Sequence, residues 1–479
     1  MSNSGGRRVA TASGSHRLGV GAVVAFVLFA VAVLVVVLVG PGRPVETGGE
    51  TTRPSGVPVD DRVVACPRAP APPGVGSRVL AGSAPLDGLG SGGSLRQGPL
   101  GADADGPDRQ PERGRLTNTQ TGADDRPAVV VDADGEIAAG LFAHQVDADA
   151  RALAVADCAP PAASWWFAGA GATVDHSSEL VMSNVDPGPA VVDVRVFGPD
   201  GEIETIGTRG ITIPPAEQIT IAMADVAPQS DELTVSVEAS RGRVVAAVAD
   251  SYASRPSASG GTEWLPAQAD ARRVLELAPL PTRADARTLL VTNPSEQSEA
   301  LVELELVGEN GTFAPAETSE IRVPPGSVVS TDISKVIARE DVAVRLRSQL
   351  AVVATVRSTN ATDVAYAGGV RRLTAPAVAP LVDDADSRVL LSAGDEAARA
   401  TVTTYTADGR QVESAEVAVP ATATKGYQPT KRAAYMVVTP VRGAIFGGVS
   451  VAGAAGVSQV PLLSLSIRNP QPAVRPVIR

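Results

Sequence analysis

A short string of side chains in this chain contains the residue types of a hydrolase triad. Asp175, His176 and Ser178 lie within four consecutive positions, and the chain has only three histidines. A nucleophile, its base and the carboxylate that orients the base must converge in space, and neighbours along a loop do not reach that geometry. The chain also lacks a G-x-S-x-G nucleophile elbow. We therefore expect a solvated turn here, no catalytic residue and no enzyme activity.

Two further patterns match the consensus sequences of ligand-binding motifs but lack the structural context or a residue that those motifs need. Residues 88–93 fit G-x-G-x-x-G, but no strand of a βαβ unit precedes them and no helix follows, which argues against a dinucleotide site. Asp103, Asp105 and Asp108 resemble a calcium loop, yet Gly114 stands where a bidentate glutamate is required. The sequence therefore predicts no cofactor and no metal site.

The tryptophans are the best candidates for a ligand or partner contact. The chain has three of them, Trp165, Trp166 and Trp264. Exposed indole rings commonly stack on sugars or anchor protein partners, whereas buried indoles pack a core or a domain boundary. Both interpretations remain open, and solvent exposure of the three rings distinguishes them.

A block of about a hundred residues that occurs three times must position these side chains. The turn glycines Gly201 and Gly311 are 110 residues apart, as are Pro215 and Pro325, and Gly409 follows Gly311 by 98. Apolar and polar residues alternate within each copy, which indicates strands with one buried face. We predict an all-β ectodomain of tandem Ig-like β-sandwich repeats, with a β-propeller-like fold as the alternative.

One N-terminal segment has the length and composition of a membrane anchor. Residues 18–39 contain no charged and no polar side chain, and at about 1.5 Å per residue they can cross a hydrocarbon core of roughly 30 Å. Arg7, Arg8 and Arg17 precede the run, so the positive-inside rule puts the N-terminus in the cytoplasm and the rest outside. We predict a single-pass cell-membrane protein with an uncleaved helix; a cleaved signal peptide is the alternative.

The two cysteines, Cys66 and Cys158, fall on the predicted outer side of the membrane. Free thiols are uncommon in oxidising compartments, so a single disulfide is expected. Two unpaired buried cysteines are the alternative.

These features divide the chain into predicted segments. Between residues 82 and 127 the chain is rich in Gly, Asp, Arg and Pro and has no aromatic residue, so it cannot bury enough apolar surface to offset its ordering entropy. The segments are a cytoplasmic tail over 1–17, a transmembrane helix over 18–40, a linker over 41–61, a small N-terminal β unit over 62–164 with a disordered insertion over 82–127, and β-sandwich repeats over 165–272, 273–374 and 375–479, the last of them degenerate.

Several of these segments resemble a known family. The run WWFAGAGATVDHSSELVMSN at residues 165–184, the GPDG and GITIPP segments that end at Gly201 and Pro215, and GTEWLP at 261–266 are similar to an actinobacterial family of membrane-anchored cell-envelope proteins. That family is catalogued only as a domain of unknown function. The resemblance implies an extracytoplasmic location in the cell envelope and brings no catalytic residues with it.

Three functions are compatible with these observations. The first is a non-catalytic envelope scaffold or binding module whose partner is another envelope protein or a cell-wall polysaccharide. The second is a carbohydrate-binding accessory to envelope polysaccharide synthesis, and the third is an uncharacterised envelope hydrolase. The net charge of -12 argues against nucleic acid as a partner.

Overall fold

The computed structural model describes residues 56–67, 77–102, 112–121, 128–148, 153–253, 260–278, 280, 284–316, 318–337, 341–454 and 456–470. The predicted cytoplasmic tail and transmembrane helix lie outside these residues. Within the described ranges, no helix is both long enough and apolar enough to cross a membrane.

The first unit is a sandwich of two sheets. Its strands are β1 (Gly56–Pro58), β2 (Asp61–Cys66), β3 (Ser77–Ser83), β4 (Leu95–Pro99), β5 (Thr117–Thr121), β6 (Val129–Asp134), β7 (Leu141–Ala148) and β8 (Leu153–Asp157), with a 3-10 turn over Gly135–Ala138. One sheet has the order β2-β6-β4 and the other β5-β3-β7-β8. Both sheets contribute buried apolar side chains to one core, among them Val131 and Val79.

The second unit repeats this construction with a larger core. Its elements are β9 (Ser164–Ala170), β10 (His176–Ser183), β11 (Ala190–Gly198), β12 (Gly201–Ile203), β13 (Ile211–Ile213), β14 (Gln218–Ala222), helix α1 (Met223–Val226), β15 (Leu233–Arg241), β16 (Val245–Tyr252) and β17 (Gly261–Trp264). One sheet has the order β12-β11-β15-β9, with β13 also on β11, and the other β14-β10-β16-β17. Inward residues of both sheets, such as Val194 and Leu180, share one core.

In the third unit, one long strand belongs to both sheets. The strands are β18 (Arg272–Leu277), β19 (Ala286–Thr292), β20 (Ala300–Gly308), β21 (Gly311–Phe313), β22 (Glu320–Val323), β23 (Val328–Asp332), β24 (Ala343–Thr359) and β25 (Val364–Val370). The first half of β24 pairs with β18 and β20, and the second half pairs with β19 and β25.

The fourth unit completes the described chain. Its strands are β26 (Ala377–Pro380), β27 (Ala385–Ala393), β28 (Ala398–Tyr405), β29 (Gln411–Val419), β30 (Thr424–Tyr427), β31 (Tyr435–Arg442), β32 (Ile445–Gly453), β33 (Val457–Pro461) and β34 (Arg468–Pro470). One sheet has the order β26-β31-β28-β29 and the other β30-β27-β32-β33. The final strand, β34, pairs with β1 of the first unit.

All four units share one strand order. If their main strands are called a to g, strands a, e and c form one sheet with e in the middle, and the other sheet has the order d-b-f-g. Strands a to g are β2 to β8 in the first unit; β9, β10, β11, β14, β15, β16 and β17 in the second; β18, β19, β20, β23, the two halves of β24 and β25 in the third; and β26, β27, β28, β30, β31, β32 and β33 in the fourth.

This order corrects three sequence-based predictions. The all-β class is confirmed, but the N-terminal unit is a fourth copy of the fold and not a separate small element. The Ig-like order is wrong, because a constant-type Ig sheet holds the first, second, fourth and fifth strands together. The insertion predicted to be disordered contains β4 and β5, which supply strands c and d; its residues 103–111 and 122–127 lie outside the described ranges.

The units form a closed ring around a common centre. β8 packs against β17, β17 against β25, β25 against β33, and β33 against β8, so strand g of every unit faces the middle. The fourth unit also meets the first through Phe142 and Tyr435, whose rings are 5.4 Å apart. Closure explains why the described residues from Gly56 onward form one compact unit, and it brings side chains from distant parts of the chain together at the unit boundaries.

Candidate functional site

The predicted disulfide is confirmed. Cys66, at the end of β2, is bonded to Cys158, which follows β8. Both cysteines are buried in the core of the first unit, so the bond joins the beginning and the end of that unit.

The three tryptophans occupy structural positions at or near unit boundaries. Trp165 points into the core of the second unit, is 7% exposed, and donates its indole N–H to the Val244 carbonyl at 3.0 Å. Trp264 is 6% exposed and donates its indole N–H to Asp147 of the first unit at 3.0 Å. Trp166, half-buried, stacks on Phe197 with ring centroids 5.6 Å apart.

This placement corrects the sugar-stacking interpretation for two of the three rings. Side chains alternate between the two faces of β9, so Trp165 faces the core and Trp166 faces the third unit, beside Leu290. Trp165 and Trp264 have almost no accessible ring surface on which a ligand could stack. Trp166 alone keeps a partly accessible ring.

The triad-like string does not form a solvated turn, contrary to the prediction. His176 begins strand β10 and is 1% exposed. Its Nε2 lies 2.9 Å from Asp250 Oδ1, and its Nδ1 is hydrogen-bonded to the Asp231 carboxylate. Ser178, one pleat along β10, donates its hydroxyl to the same Asp250 oxygen at 2.5 Å.

This cluster extends into the third unit. The hydroxyl of Tyr366, on β25, donates to Asp250 Oδ2 at 2.6 Å. The Arg357 guanidinium, on β24, lies 4.4 Å from the ring centroid of Tyr252 and 3.8 Å from a Glu232 carboxylate oxygen. We call His176, Ser178, Asp231, Asp250, Arg357 and Tyr366 the boundary cluster, because it joins the second unit to the third.

The electrostatics of the boundary cluster keep His176 protonated at neutral pH. Burial alone would lower the pKa of His176, but the Asp250 and Asp231 carboxylates outweigh it and raise the pKa to about 9. Burial would raise the pKa of Asp231, yet its hydrogen bond with His176 lowers it overall. Burial also raises the pKa of Tyr366 well above its ordinary value.

These contacts do not assemble a hydrolase triad. A general base needs an unprotonated nitrogen facing the nucleophile, and both nitrogens of His176 face carboxylates. The Ser178 hydroxyl bonds to Asp250 and not to the imidazole. The cluster is therefore arranged as a buried charge network that holds two units together.

The raised pKa of His176 predicts a loss of stability at alkaline pH. An interaction of this sign is complete below about pH 6.5, the pKa of an unfolded histidine, and it is lost as the pH rises through about 9. We expect the free energy of unfolding, measured with urea, to fall over that range. In a His176→Gln variant this part of the decline should be absent.

The free energies of unfolding of the wild type and of His176→Gln should be compared above about pH 7.5, because other buried carboxyls titrate below that pH. Burial raises the pKa of Asp363 and Glu276 to about 7 each, so their stabilising contribution is already lost above about pH 7.5. Parallel declines of the wild type and His176→Gln above that pH would contradict the assignment.

A second set of buried carboxyls lies where the four units meet. Glu263, on β17, accepts a hydrogen bond from the backbone N–H of Trp264 at 2.9 Å. Burial raises the pKa of Glu263 well above its ordinary value. Asp363, beside β25, accepts from the Val457 N–H of the fourth unit at 2.5 Å. The indole N–H of Trp264 donates to Asp147 of the first unit at 3.0 Å, and the Asp147 carboxylate raises the pKa of Glu263 further. These carboxyls link four units in the interior.

Of the remaining sequence motifs, only residues 88–93 lie among the described residues. Residues 88–93 form a loop in which the Gly92 N–H donates to Glu136 at 2.9 Å. Asp103, Asp105 and Asp108 lie outside the described residues. Among the residues that are described, no three or more His, Cys, Asp or Glu side chains are grouped to hold a metal ion.

One open cleft, lined by residues of the second and third units, is strongly charged. It has a volume of about 430 Å³ and is lined by Arg195, Glu202, Glu204, Arg209 and Glu296. Arg195 is already hydrogen-bonded to the Glu202 carboxylate and lies 3.4 Å from Glu296. Its positive charge is therefore satisfied within the protein, which argues against an anion site.

Sequence reasoning missed most of the boundary cluster because its members come from separate strands. Asp231, Asp250, Arg357 and Tyr366 lie far apart along the chain. One signal was present: Asp250 follows the apolar run at residues 244–249 in strand β16. A carboxylate at an inward position of such a run requires a buried partner.

The family comparison covers the larger part of this structure. A family model described as a family of unknown function (DUF5719) matches residues 117–430, from β5 to the fourth unit. The comparisons with curated proteins and with solved structures gave no match. The matched region contains the boundary cluster and all three tryptophans, whereas Cys66 precedes it.

Proposed function

We propose, from the premise that the chain belongs to the DUF5719 family of unknown function, that it is a non-catalytic binding module of the bacterial cell envelope. One helix over residues 18–39 holds it in the membrane, and the β units lie outside as a rigid platform for a partner. The partner is another envelope protein or a cell-wall polysaccharide. The actinobacterial origin belongs to this proposal as well.

The strongest support for this proposal is the location of the buried ionisable residues, which lie at boundaries between units. Asp250 joins the second unit to the third through the Tyr366 hydroxyl, and Glu263 and Asp363 lie at the centre of the ring. An active site needs titratable groups that converge on an accessible pocket, and these groups converge inside sheet-to-sheet boundaries. The disulfide between Cys66 and Cys158 fits an oxidising compartment.

A carbohydrate-binding role is the second candidate, and the half-buried ring of Trp166 favours it. In this role the protein assists envelope polysaccharide synthesis. A Trp166→Ala variant would then lose retention on envelope polysaccharide in a pull-down, while Trp165→Phe would keep it. Equal retention of both variants argues for the protein-partner role. An envelope hydrolase is the least supported candidate.

Cell fractionation tests the proposed location. The full chain should remain with membranes after alkaline carbonate washing, and a variant without residues 18–39 should not. Protease added to intact spheroplasts should digest the β units while a cytoplasmic marker survives. Recovery of the full chain in the cytosol, or its protection from protease, would contradict the proposal.

A hydrolase panel tests the non-catalytic part. We expect the purified chain to show no turnover of ester, amide, glycoside or phosphoester substrates. Ser178→Ala and Ser177→Ala form a matched pair, because Ser178 is buried beside His176 and Ser177 is exposed. Turnover that disappears in Ser178→Ala and persists in Ser177→Ala would overturn the proposal.

A further inference from the structure

Strand β29 forms a long free edge on the fourth unit. It is the last strand in the order β26-β31-β28-β29, and it pairs with β28 from Gln411 to Val419. In the part of the chain that the structure describes, no strand pairs with its other edge. A row of backbone N–H and C=O groups therefore faces outward over nine residues.

The second and third units break this edge into short pieces. There, the place beside strand c is taken by β12 and β13, or by β21 and β22, with three or four residues each. The sequence explains the difference: Pro215 follows the turn glycine Gly201 by 14 residues, whereas Pro420 follows Gly409 by only 11. The shorter fourth unit has no such interrupting loop, so its edge is continuous.

The composition of β29 gives little protection against strand pairing. Proteins usually guard a free edge with lysine, proline or a bulge that turns the edge away. Residues 411–419 contain no lysine, proline or glycine. Val412, Ser414, Glu416 and Ala418 are exposed on one face of the strand. The pairing with β28 is irregular only at the first residues of β29, so the rest of the strand is a regular and unguarded edge, which is a template for β-augmentation.

The charges on β29 indicate a basic partner. Glu413 accepts a hydrogen bond from the Tyr427 hydroxyl at 2.8 Å and has no cationic partner within the described ranges. Glu416 lies 3.3 Å from Arg399, but both side chains are about half exposed, so this pair is weak and Glu416 stays accessible to a partner. Antiparallel self-pairing of β29 centred on Ala415 would make the Glu416 residues of two copies diagonal neighbours at about 7–8 Å. Like-charge repulsion therefore disfavours a second copy of this chain.

We propose that β29 is a docking edge for an extended segment of another envelope protein, a segment that carries lysine or arginine and adds to the fourth unit as a further strand. Main-chain hydrogen bonds along β29 supply the affinity, and Glu413 and Glu416 select the basic side chains. This inference rests on the proposed function as a binding module, and it names the surface and the chemistry of the partner.

Peptide binding to the full chain in detergent tests the docking edge. The probe is a fluorescein-labelled nine-residue peptide of alternating valine and threonine with two lysines. We expect saturable binding by fluorescence anisotropy, with binding weaker by about tenfold or more when glutamates replace the lysines. N-methylation of alternate residues, which removes one row of N–H donors, should abolish binding.

Two charge variants form a matched pair for this assay. Glu416→Lys should reverse the preference, so that the glutamate peptide binds better than the lysine peptide. Glu320→Lys, on the short edge strand β22 of the third unit, should leave the preference unchanged. Retained binding of the N-methylated peptide, or no binding of the lysine peptide, would overturn the proposal.

If the chain forms a dimer that the peptide dissociates, β29 pairs with a second copy of the chain, and the proposal of a different partner protein is overturned. Light scattering after size-exclusion chromatography detects such a dimer. If the lysine peptide does not bind, only the proposal that β29 is a docking edge is rejected. The proposed binding function fails only if the chain has no partner in cells.

Discussion

Replacement of Asp250 with alanine is expected to lower the free energy of unfolding by about 3–5 kcal/mol. Asp250 is 1% exposed and accepts hydrogen bonds from His176, Ser178 and Tyr366. Its removal leaves a buried imidazolium with one carboxylate partner and two buried hydroxyls without their acceptor. Desolvation of these groups is then uncompensated, which makes the loss larger than that of an ordinary hydrogen bond.

Urea denaturation followed by circular dichroism measures this effect. Asp383→Ala is the matched control: Asp383 lies 3.2 Å from Arg78 at the boundary of the first and fourth units, but its side chain is 79% exposed. An exposed pair of this kind contributes at most about 1 kcal/mol. Similar small losses in Asp250→Ala and Asp383→Ala would show that the boundary cluster does not stabilise the ring.

Loss of the disulfide should have an effect of similar size. Cys66 and Cys158 are separated by 92 residues, and closure of a loop of about this length stabilises the folded state by roughly 4–5 kcal/mol in the chain-entropy model. The Cys66→Ser/Cys158→Ser double variant should unfold at a correspondingly lower urea concentration. The N-terminal unit borders both the second and the fourth units of the closed ring, so its loosening should also expose these two contacts.

Reduction of the wild type provides the control for this variant. Dithiothreitol should shift the wild-type transition to that of the double serine variant and should leave the variant unchanged. Two findings would contradict a stabilising disulfide: two free thiols in the unreduced protein, or a wild-type unfolding transition at the same urea concentration with and without dithiothreitol.

The repeating parts of the fold could be predicted because they are encoded locally. Alternation of apolar and polar residues defined strands such as β20, and the turn glycines Gly201, Gly311 and Gly409 all adopt positive φ. The copy in the first unit could not be recognised, because β2 to β8 carry neither the turn glycine nor the proline pair at the same spacing. Leu95 illustrates the reason: it is a single apolar residue in a polar segment, yet it is buried in the core.

The boundaries between units could not be predicted from local patterns. Ring closure brings Tyr366 into contact with Asp250, and Asp363 into contact with Val457. The spacing of these residues along the sequence therefore does not indicate the contacts. Tryptophans were the clearest candidates by residue type, and all three proved to lie at or near such boundaries. The disulfide was predictable because the chain has two cysteines, which leave one pairing once an oxidising compartment is predicted.

Photocrosslinking in living cells tests the central claim, that this chain acts by binding a partner in the cell envelope. Photoreactive residues would replace exposed side chains in different units: Glu416 on β29, and Val174 and Ile206 on the second unit, both fully exposed. We predict a discrete covalent adduct with one envelope protein or polymer from at least one position, absent without irradiation and absent when residues 18–39 are deleted. Adducts from none of these positions, in cells where the full chain is present in the membrane, would contradict the account.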